Sequence, residues 1–270
     1  SVTPVSRGST PLNLRRFKNQ MYAQYDGNLD NMNAAEGTEF VAWPSFRVSE
    51  TPYVYRRTLP NVSIPFQLAW YKFKDVSPQS YRTYTTSTGY YKYGFLLSQY
   101  TDSIKKYNET HGTSYKSYKE VSLDRRFPAD KTEAEQRDWE FFVRNVLNLF
   151  WIRVDASALP AFHDYLKTKY RDVATLNQVY GTKYKAFDEI PLVERIPYSG
   201  VILADWSSFV QGWVDPFTEV LHKVPSKALS ICSVEFEFQD HLLEKYKTLE
   251  AVNEACGTDY AKISDIYPPQ

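Results

Sequence analysis

The chain has 270 residues, of which 43% are hydrophobic and 16% aromatic, so it can bury a sizeable core as one large domain or two. Its 32 basic and 32 acidic residues balance, which excludes the strongly basic surface typical of nucleic-acid binding. No apolar run reaches the roughly 20 residues that a membrane-spanning helix needs. The longest run, around Val146–Val154, contains Arg153 and is interpreted as a buried segment.

Four copies of the pattern Asn-x-x-x-Gly-Thr-x-[Tyr/Phe] organise the chain. Their Asn, Gly and Thr residues are Asn33, Gly37 and Thr38, then Asn108, Gly112 and Thr113, then Asn177, Gly181 and Thr182, and finally Asn253, Gly257 and Thr258. Five positions before each Asn stands a residue that favours a helix N-cap: Asn28, Ser103, Asp172 and Thr248. This spacing predicts a two-turn helix that ends at a left-handed glycine. We expect the Asn amide to bond the backbone of the turn, with a ligand contact as the alternative.

Other positions recur around each copy. An upstream helix ends in a matched apolar pair: Met21/Tyr25, Leu96/Tyr100, Leu166/Tyr170 and Leu242/Tyr246. Three of these helices carry a Phe eight residues before the Tyr: Phe17, Phe162 and Phe238. A Trp-x-x-Phe segment follows three of the copies, at Trp70, Trp139 and Trp206. We predict that these aromatic residues form the core, and that Asp138 and Asp205, which precede two of the Trp residues, are helix N-caps.

The pattern predicts a mainly α fold, a tandem repeat of helix–short helix–Gly-Thr-turn units with a few short strands. We expect strands around Ser63–Ala69 and Val201–Ala204, and a single repeat-built domain over 1–270 with approximate units 13–75, 76–145, 146–213 and 214–270. The four His residues lack metal-ligand spacing, and no phosphate-binding or dinucleotide motif occurs, so we expect no metal and no cofactor. Cys232 and Cys256 are predicted to be buried free thiols, with one disulfide as the alternative.

A cluster of tyrosines is the candidate partner contact. It lies in the Ser/Thr-rich segment 77–93, which we interpret as a long loop, and consists of Tyr81, Tyr84, Tyr90, Tyr91 and Tyr93. Aromatic residues on loops can anchor a partner protein or stack on a sugar ring. The alternative is that they cover the end of a helix.

One pair of carboxylates leaves a catalytic function open. Glu235 and Glu237 alternate with apolar residues, which predicts a strand with both carboxylates on one face. A glycosidase needs such a pair, whereas a solvated strand edge is the interpretation that we favour. No catalytic residue is therefore assigned.

Two resemblances add to these observations. The string Phe162-x-x-Tyr-Leu-x-x-Lys-Tyr170, continued by the motif at Asn177, resembles a helix–turn segment of bacterial beta-galactosidases with TIM-barrel catalytic domains. There the segment is scaffold beside the barrel, and it contributes no catalytic carboxylate. Its repetition in this chain argues against a barrel.

A longer resemblance is to the large extracytoplasmic domain of certain bacterial sugar-type ABC-transporter permease subunits. It rests on the segment Asn13–Tyr25, on Asp205-Trp-x-x-Phe-Val-x-Gly-Trp-x-Asp-Pro216 and on the closing Pro-Pro-Gln. It implies a non-catalytic domain at the periplasmic face of the inner membrane, joined to the membrane only by flanking transmembrane helices outside this sequence.

The partners it implies are a solute-binding protein and the other transporter subunits, without nucleic acid. A carbohydrate-binding or glycoside-hydrolase-related protein and a stand-alone helical-repeat scaffold remain the alternatives.

Overall fold

The fold is mainly helical with a few short strands, as the repeat predicts. A computed structural model describes residues 12–48, 56–57, 64–77, 86–101, 103–197 and 200–268. These residues fall into two compact units. The first unit contains 12–48 and 64–77, with the first copy of the repeat. The second contains the rest of the described residues, with the other three copies.

Helices make up most of the regular secondary structure in the described residues. In chain order they are α1 (Leu12–Gln24), α2 (Leu29–Glu36), α3 (Pro65–Val76), α4 (Ser87–Gly89), α5 (Leu97–Tyr100), α6 (Ile104–His111), α7 (Glu133–Phe141), α8 (Leu159–Tyr170), α9 (Val173–Tyr180), α10 (Gly200–Gln211), α11 (Val234–Tyr246) and α12 (Leu249–Cys256). Two π-helical segments, Tyr90–Leu96 and Phe142–Val146, continue α4 into α5 and extend α7. Single 3₁₀ turns follow three of the Gly-Thr turns, at Trp43–Ser45, Phe187–Glu189 and Ile263–Asp265.

The described strands form two short antiparallel pairs in the second unit. They are β1 (Ile152–Val154), β2 (Trp213–Val214), β3 (Leu221–His222) and β4 (Leu229–Ile231). β1 pairs with β4, so that Ile152 lies opposite Ile231, and β2 pairs with β3.

The strands expected around Ser63–Ala69 and Val201–Ala204 are wrong. Pro65 stands in the first turn of α3, where its fixed φ and missing N–H suit a helix start, and Gly200 begins α10. A short apolar run cannot by itself distinguish a strand from a buried helix segment.

The repeated aromatic residues form the core, as predicted. Trp70, Trp139 and Trp206 are buried. In the first unit the Phe17 ring lies 5.1 Å from that of Trp70 and 5.3 Å from that of Phe73, measured between centroids. The segment around Val146–Val154 is also buried as expected, through residues that include Leu147, Leu149, Ile152 and Val154.

Candidate functional site

The four Gly-Thr turns share one hydrogen-bond network. In each copy the Asn Oδ1 accepts from the Thr hydroxyl five residues later, at 2.7–2.9 Å, and from the backbone N–H seven residues later, at 2.9–3.1 Å. The Asn Nδ2 donates to the carbonyl of that same residue at 2.8–2.9 Å. The four glycines have φ of 66–68°, the left-handed conformation expected at a helix end. Because the amide is committed to the turn on both sides, its role is structural.

Asp205 lies at the centre of a buried polar cluster. It has no exposed surface, and it accepts hydrogen bonds from the hydroxyls of Tyr165 at 3.2 Å, Tyr170 at 2.6 Å and Tyr180 at 2.7 Å, and from Lys169. These donors lie on α8 and α9, so the carboxylate of α10 holds three helices together. Burial, followed by the bond to Asp205, raises the pKa of Tyr170 and of Tyr180 well above its usual range. Both hydroxyls therefore stay protonated and can donate.

Asp138 occupies the equivalent position in the second copy. Its Oδ1 accepts from the Tyr100 hydroxyl at 2.9 Å, and its Oδ2 lies 2.9 Å from Nε2 of the buried His111. The predicted role of Asp138 and Asp205 as N-caps is wrong, because both lie well inside their helices. Thr132 caps α7 instead, and α10 begins at Gly200.

The first copy achieves a similar contact with a different acid. Ala69 stands where the other two copies have Asp, and Glu36 of α2 accepts from the Tyr25 hydroxyl at 2.5 Å. Burial and then this bond raise the pKa of Tyr25 to about 12. In each of these arrangements a buried or half-buried acid accepts a hydrogen bond from the Tyr at the end of the upstream helix, and we call the arrangement a carboxylate clamp. The carboxylates of Glu36, Asp138 and Asp205 all accept hydrogen bonds from side chains of the same protein.

The predicted carboxylate pair is not on a strand. Glu235 and Glu237 lie in the first turn of α11, where residues two apart point roughly 200° away from each other. Glu235 has no exposed surface, and its Oε1 accepts from Ser87 Oγ at 2.6 Å and from the Thr88 N–H at 2.9 Å. The expectation of a shared strand face and a solvated edge is therefore wrong. This geometry does not let the pair flank a glycosidic bond.

Both cysteines are free thiols, but they are less buried than predicted. Cys232 is half-buried and Cys256 is exposed. The Cys232 sulfur lies 3.0 Å from Glu237 Oε1, and burial followed by this bond raises the pKa of the thiol to about 11. The thiolate that nucleophilic chemistry needs is thereby disfavoured.

The tyrosine cluster predicted as a docking loop is partly helical. Tyr81 and Tyr84 lie outside the described residues, whereas Tyr90, Tyr91 and Tyr93 lie in the π-helical segment. Tyr91 is only 3% exposed and packs on the core, so its role as a partner contact is wrong. Tyr90 is half-buried, and Tyr93 alone of the three is exposed, at 52%. The sequence suggested a loop because of its Ser, Thr and Gly residues, yet the Thr86 hydroxyl caps a helix there by accepting from the Gly89 N–H at 3.1 Å.

Sequence reasoning missed an exposed apolar hairpin. This exposed hairpin, Trp213–His222, consists of β2, β3 and the connection between them. Four of its apolar side chains are largely solvent-accessible: Val214 at 53%, Phe217 at 82%, Val220 at 52% and Leu221 at 51%. The available signal was an Asp-Pro turn between two pairs of strand-forming residues, Trp213-Val and Val220-Leu.

The exposed hairpin is held in a fixed shape by Asp215. This carboxylate accepts from the Thr218 hydroxyl at 2.6 Å and from the Phe217 N–H at 3.2 Å, and the Asp215 N–H donates to the Val220 carbonyl at 2.9 Å. The bond from Thr218 lowers the pKa of Asp215 below its usual value. The guanidinium of Arg171 lies 5.2 Å from the centroid of the Phe217 ring. The ring is thus presented to solvent by a preorganised turn.

Among the described residues, no three His, Cys, Asp or Glu side chains are grouped as metal ligands. No helix in the described part of the chain combines the length and apolar character needed to span a membrane. Comparisons with protein-family models, with curated proteins and with solved structures found no match.

Proposed function

We propose that the protein is a non-catalytic extracytoplasmic domain of a sugar-type ABC-transporter permease, and that it docks or gates a solute-binding protein at the periplasmic face of the membrane. The observation that supports a docking function is the exposed hairpin. Its Trp213-x-Asp-Pro216 residues belong to the segment that carries the resemblance to such permeases. The surface that interacts is therefore sought on this hairpin.

A large exposed ring on a rigid turn suits recognition. Burying a Phe side chain contributes about 1.5–3 kcal/mol of free energy. Because Phe217 is 82% exposed, most of that free energy can be gained when a partner covers the ring. Because Asp215 already fixes the turn, association loses little conformational entropy at this point. Aromatic anchors of this kind carry much of the energy at protein interfaces.

The surroundings of two buried acids, Asp205 and Glu235, support a non-catalytic role for both. Asp205 is enclosed by three tyrosines and Lys169, and Glu235 is bonded to Ser87 and Thr88 without exposed surface. General acid–base catalysis needs a carboxyl within hydrogen-bond reach of the substrate. Neither acid offers that access.

We therefore place the proposed docking face on the exposed hairpin in place of the tyrosine cluster, and Tyr93 stays a separate candidate contact because it is exposed. A contact made during each transport cycle is expected to be transient and modest, on the order of 1,000–1,500 Å². Four exposed apolar side chains form the centre of such an interface, with polar residues around them.

The test is a titration of the protein with the solute-binding protein encoded beside the permease, with and without its solute. Phe217→Ser is expected to weaken binding at least ~10-fold, because the ring is the proposed anchor. Val41→Ser is the matched control: it removes another apolar side chain, 89% exposed, from outside the hairpin, and it should leave affinity within about twofold.

Tyr93→Ser in the same titration asks whether the π-helical segment shares the interface. Absence of binding by the intact protein in both solute states contradicts the docking function. Unchanged binding by Phe217→Ser contradicts the hairpin as its site.

A further inference from the structure

The residue before the glycine of each Gly-Thr turn contributes differently to each carboxylate clamp. It is Glu36 in the first copy, His111 in the second and Tyr180 in the third. Glu36 is itself the acid of the first clamp, whereas the Tyr180 hydroxyl donates to Asp205 at 2.7 Å. The second clamp therefore has an imidazole where the third has a phenol.

Both ring nitrogens of His111 face hydrogen-bond acceptors. Nδ1 lies 2.7 Å from the carbonyl oxygen of Tyr107, and Nε2 lies 2.9 Å from Oδ2 of Asp138. Because a carbonyl oxygen cannot donate, Nδ1 carries a proton. A second proton lies between Nε2 and Oδ2, since two lone pairs at this distance would repel each other. The two side chains together therefore hold two protons.

The surroundings favour the second proton on the imidazole, as a cation paired with a carboxylate. The other oxygen of Asp138 accepts from the Tyr100 hydroxyl at 2.9 Å, which stabilises the charged carboxylate. Burial raises the pKa of Tyr100 well above its usual range, so its hydroxyl remains a donor. The Tyr107 ring lies 3.8 Å from the imidazole between centroids, with 14° between the planes, and the face of a phenol attracts a cation.

The charged and titratable groups around this ring come from α5, α6, α7 and the segment after the turn. They are Tyr100, Tyr107, Glu135, Arg137, Asp138, Tyr115 and Tyr118. Two acids against one base stabilise a cation at the ring. The side chain of His111 has no exposed surface, so water cannot replace a contact that is lost there.

We propose that the His111–Asp138 pair is a pH-sensitive latch, which joins α5, α6 and α7 while the imidazole carries both protons and weakens as the pH rises. Whichever ring nitrogen loses its proton, its lone pair then faces an acceptor oxygen inside a buried site, where unpaired polar groups are costly. The third clamp keeps its donor over the same range, because burial raises the pKa of Tyr180 well above its usual range. The latch does not depend on the proposed docking function.

The direction of the pH dependence follows from proton release on unfolding. In an unfolded chain a histidine loses its proton near about pH 6.5. Well below that pH, His111 is protonated in both states, and the latch stabilises the fold fully. Above it, unfolding releases the proton that the latch holds, so the unfolding free energy falls as the pH rises. One proton changes the unfolding equilibrium constant by at most about tenfold per pH unit.

The first test is urea unfolding of the wild type and of His111→Gln between about pH 6 and 8. Gln has a side-chain amide that can donate to Asp138 but does not titrate. The unfolding equilibrium constant of the wild type should rise with pH more steeply than that of His111→Gln, by up to about tenfold per pH unit. The other three histidines are common to both proteins, so their contributions cancel in this comparison.

Hydrogen exchange locates the effect within the fold. The short helices α6 and α9 are a matched pair of eight residues from the second and third copies. After correction for the intrinsic exchange rate, the protection of α6 should fall relative to that of α9 over this pH range. His111→Tyr gives the second clamp the partner of the third and should abolish the difference; if that variant does not fold, His111→Gln serves the same comparison.

Three results would overturn the proposal. One is the same pH dependence of unfolding in the wild type and in His111→Gln. Another is an equal change in protection of α6 and α9 in the wild type. The third comes from ¹⁵N NMR of the imidazole in the folded wild type. We expect both ring nitrogens to carry protons at about pH 7, where a histidine of an unfolded chain has mostly lost one, and a neutral ring at that pH would contradict the latch.

Discussion

Removing the carboxylate of Asp205 should destabilise the fold strongly. Asp205→Ala takes the acceptor from three tyrosine hydroxyls and from Lys169, in a site with no exposed surface at the carboxylate. Each hydroxyl left unpaired costs about 1–3 kcal/mol, and breaking a buried ion pair costs about 3–5 kcal/mol. Since these terms overlap and Lys169 is partly exposed, we expect a loss of ~3–5 kcal/mol of unfolding free energy.

Urea unfolding followed by circular dichroism measures this loss. The control is Asp164→Ala, which removes an exposed acid from the neighbouring α8 and should change stability by less than about 0.5 kcal/mol. Asp205→Asn retains one acceptor oxygen and should fall between the two. A double-mutant cycle with Tyr170→Phe should show coupling of at least ~0.5 kcal/mol. If Asp205→Ala lowers the unfolding free energy by less than about 1 kcal/mol, as expected for an ordinary solvated cap, the carboxylate clamp is refuted. Strictly additive effects of the Asp205 and Tyr170 substitutions would refute it as well.

Three further outcomes follow from the repeat. Gly181→Ala should lower the unfolding free energy by about 1–2 kcal/mol. The cause is the φ of 68° alone, because an added Cβ meets no atom within 4 Å. Urea unfolding measures this loss, and Gly181→Asn is expected to lose less. Trp206→Ala should cost roughly 3–5 kcal/mol as a fully buried aromatic, and a cost near zero would contradict its place in the core. Burial raises the pKa of Tyr180 above its ordinary value. The stability that its protonated hydroxyl contributes is therefore complete below about pH 10 and is lost as the pH rises further. Between pH 8 and 11 the unfolding free energy should therefore fall less steeply with pH in Tyr180→Phe than in the wild type.

The Gly-Thr turns could be predicted because their determinants are local. Cap, short helix, Asn and Gly all lie within ten residues, and each bond of the turn joins residues at a constant separation, such as Asn177 to Thr182 and Tyr184. Glycine at a left-handed position is a strong signal because other residues avoid it. The burial of Trp70, Trp139 and Trp206 could also be predicted, because a large aromatic residue that recurs at the same position of three copies is most simply explained by packing in the core.

The carboxylate clamps could not be predicted because their partners are distant in the sequence. Asp205 stands before Trp206 as a cap residue would, and its true partners lie 25–40 residues upstream. The sequence of the first copy hides the relation further, since Glu36 supplies the acid there and Ala69 replaces the Asp.

The second copy was misinterpreted because of its π-helical segment. Sequence spacing of eight residues selects Lys92, and only the extra residue of the π-helical turn brings Tyr91 into the core. The alternation around Glu235 misled in a similar way, because Val234, Phe236 and Phe238 also fit the start of a helix on which all three are partly or fully buried. Tertiary contacts with Ser87 and Thr88, invisible in local sequence, decide the burial of that acid.

The most direct test of the proposed docking function is site-specific photo-crosslinking from position 217 of the full-length protein in cells. Benzoylphenylalanine at position 217 places the reactive group on the most exposed aromatic side chain of the hairpin, and the same group at position 41 serves as the control. The proposed function predicts a covalent product between position 217 and the solute-binding protein that increases during transport, with little product from position 41. Equal products from both positions, or none from position 217 while transport proceeds, would contradict it.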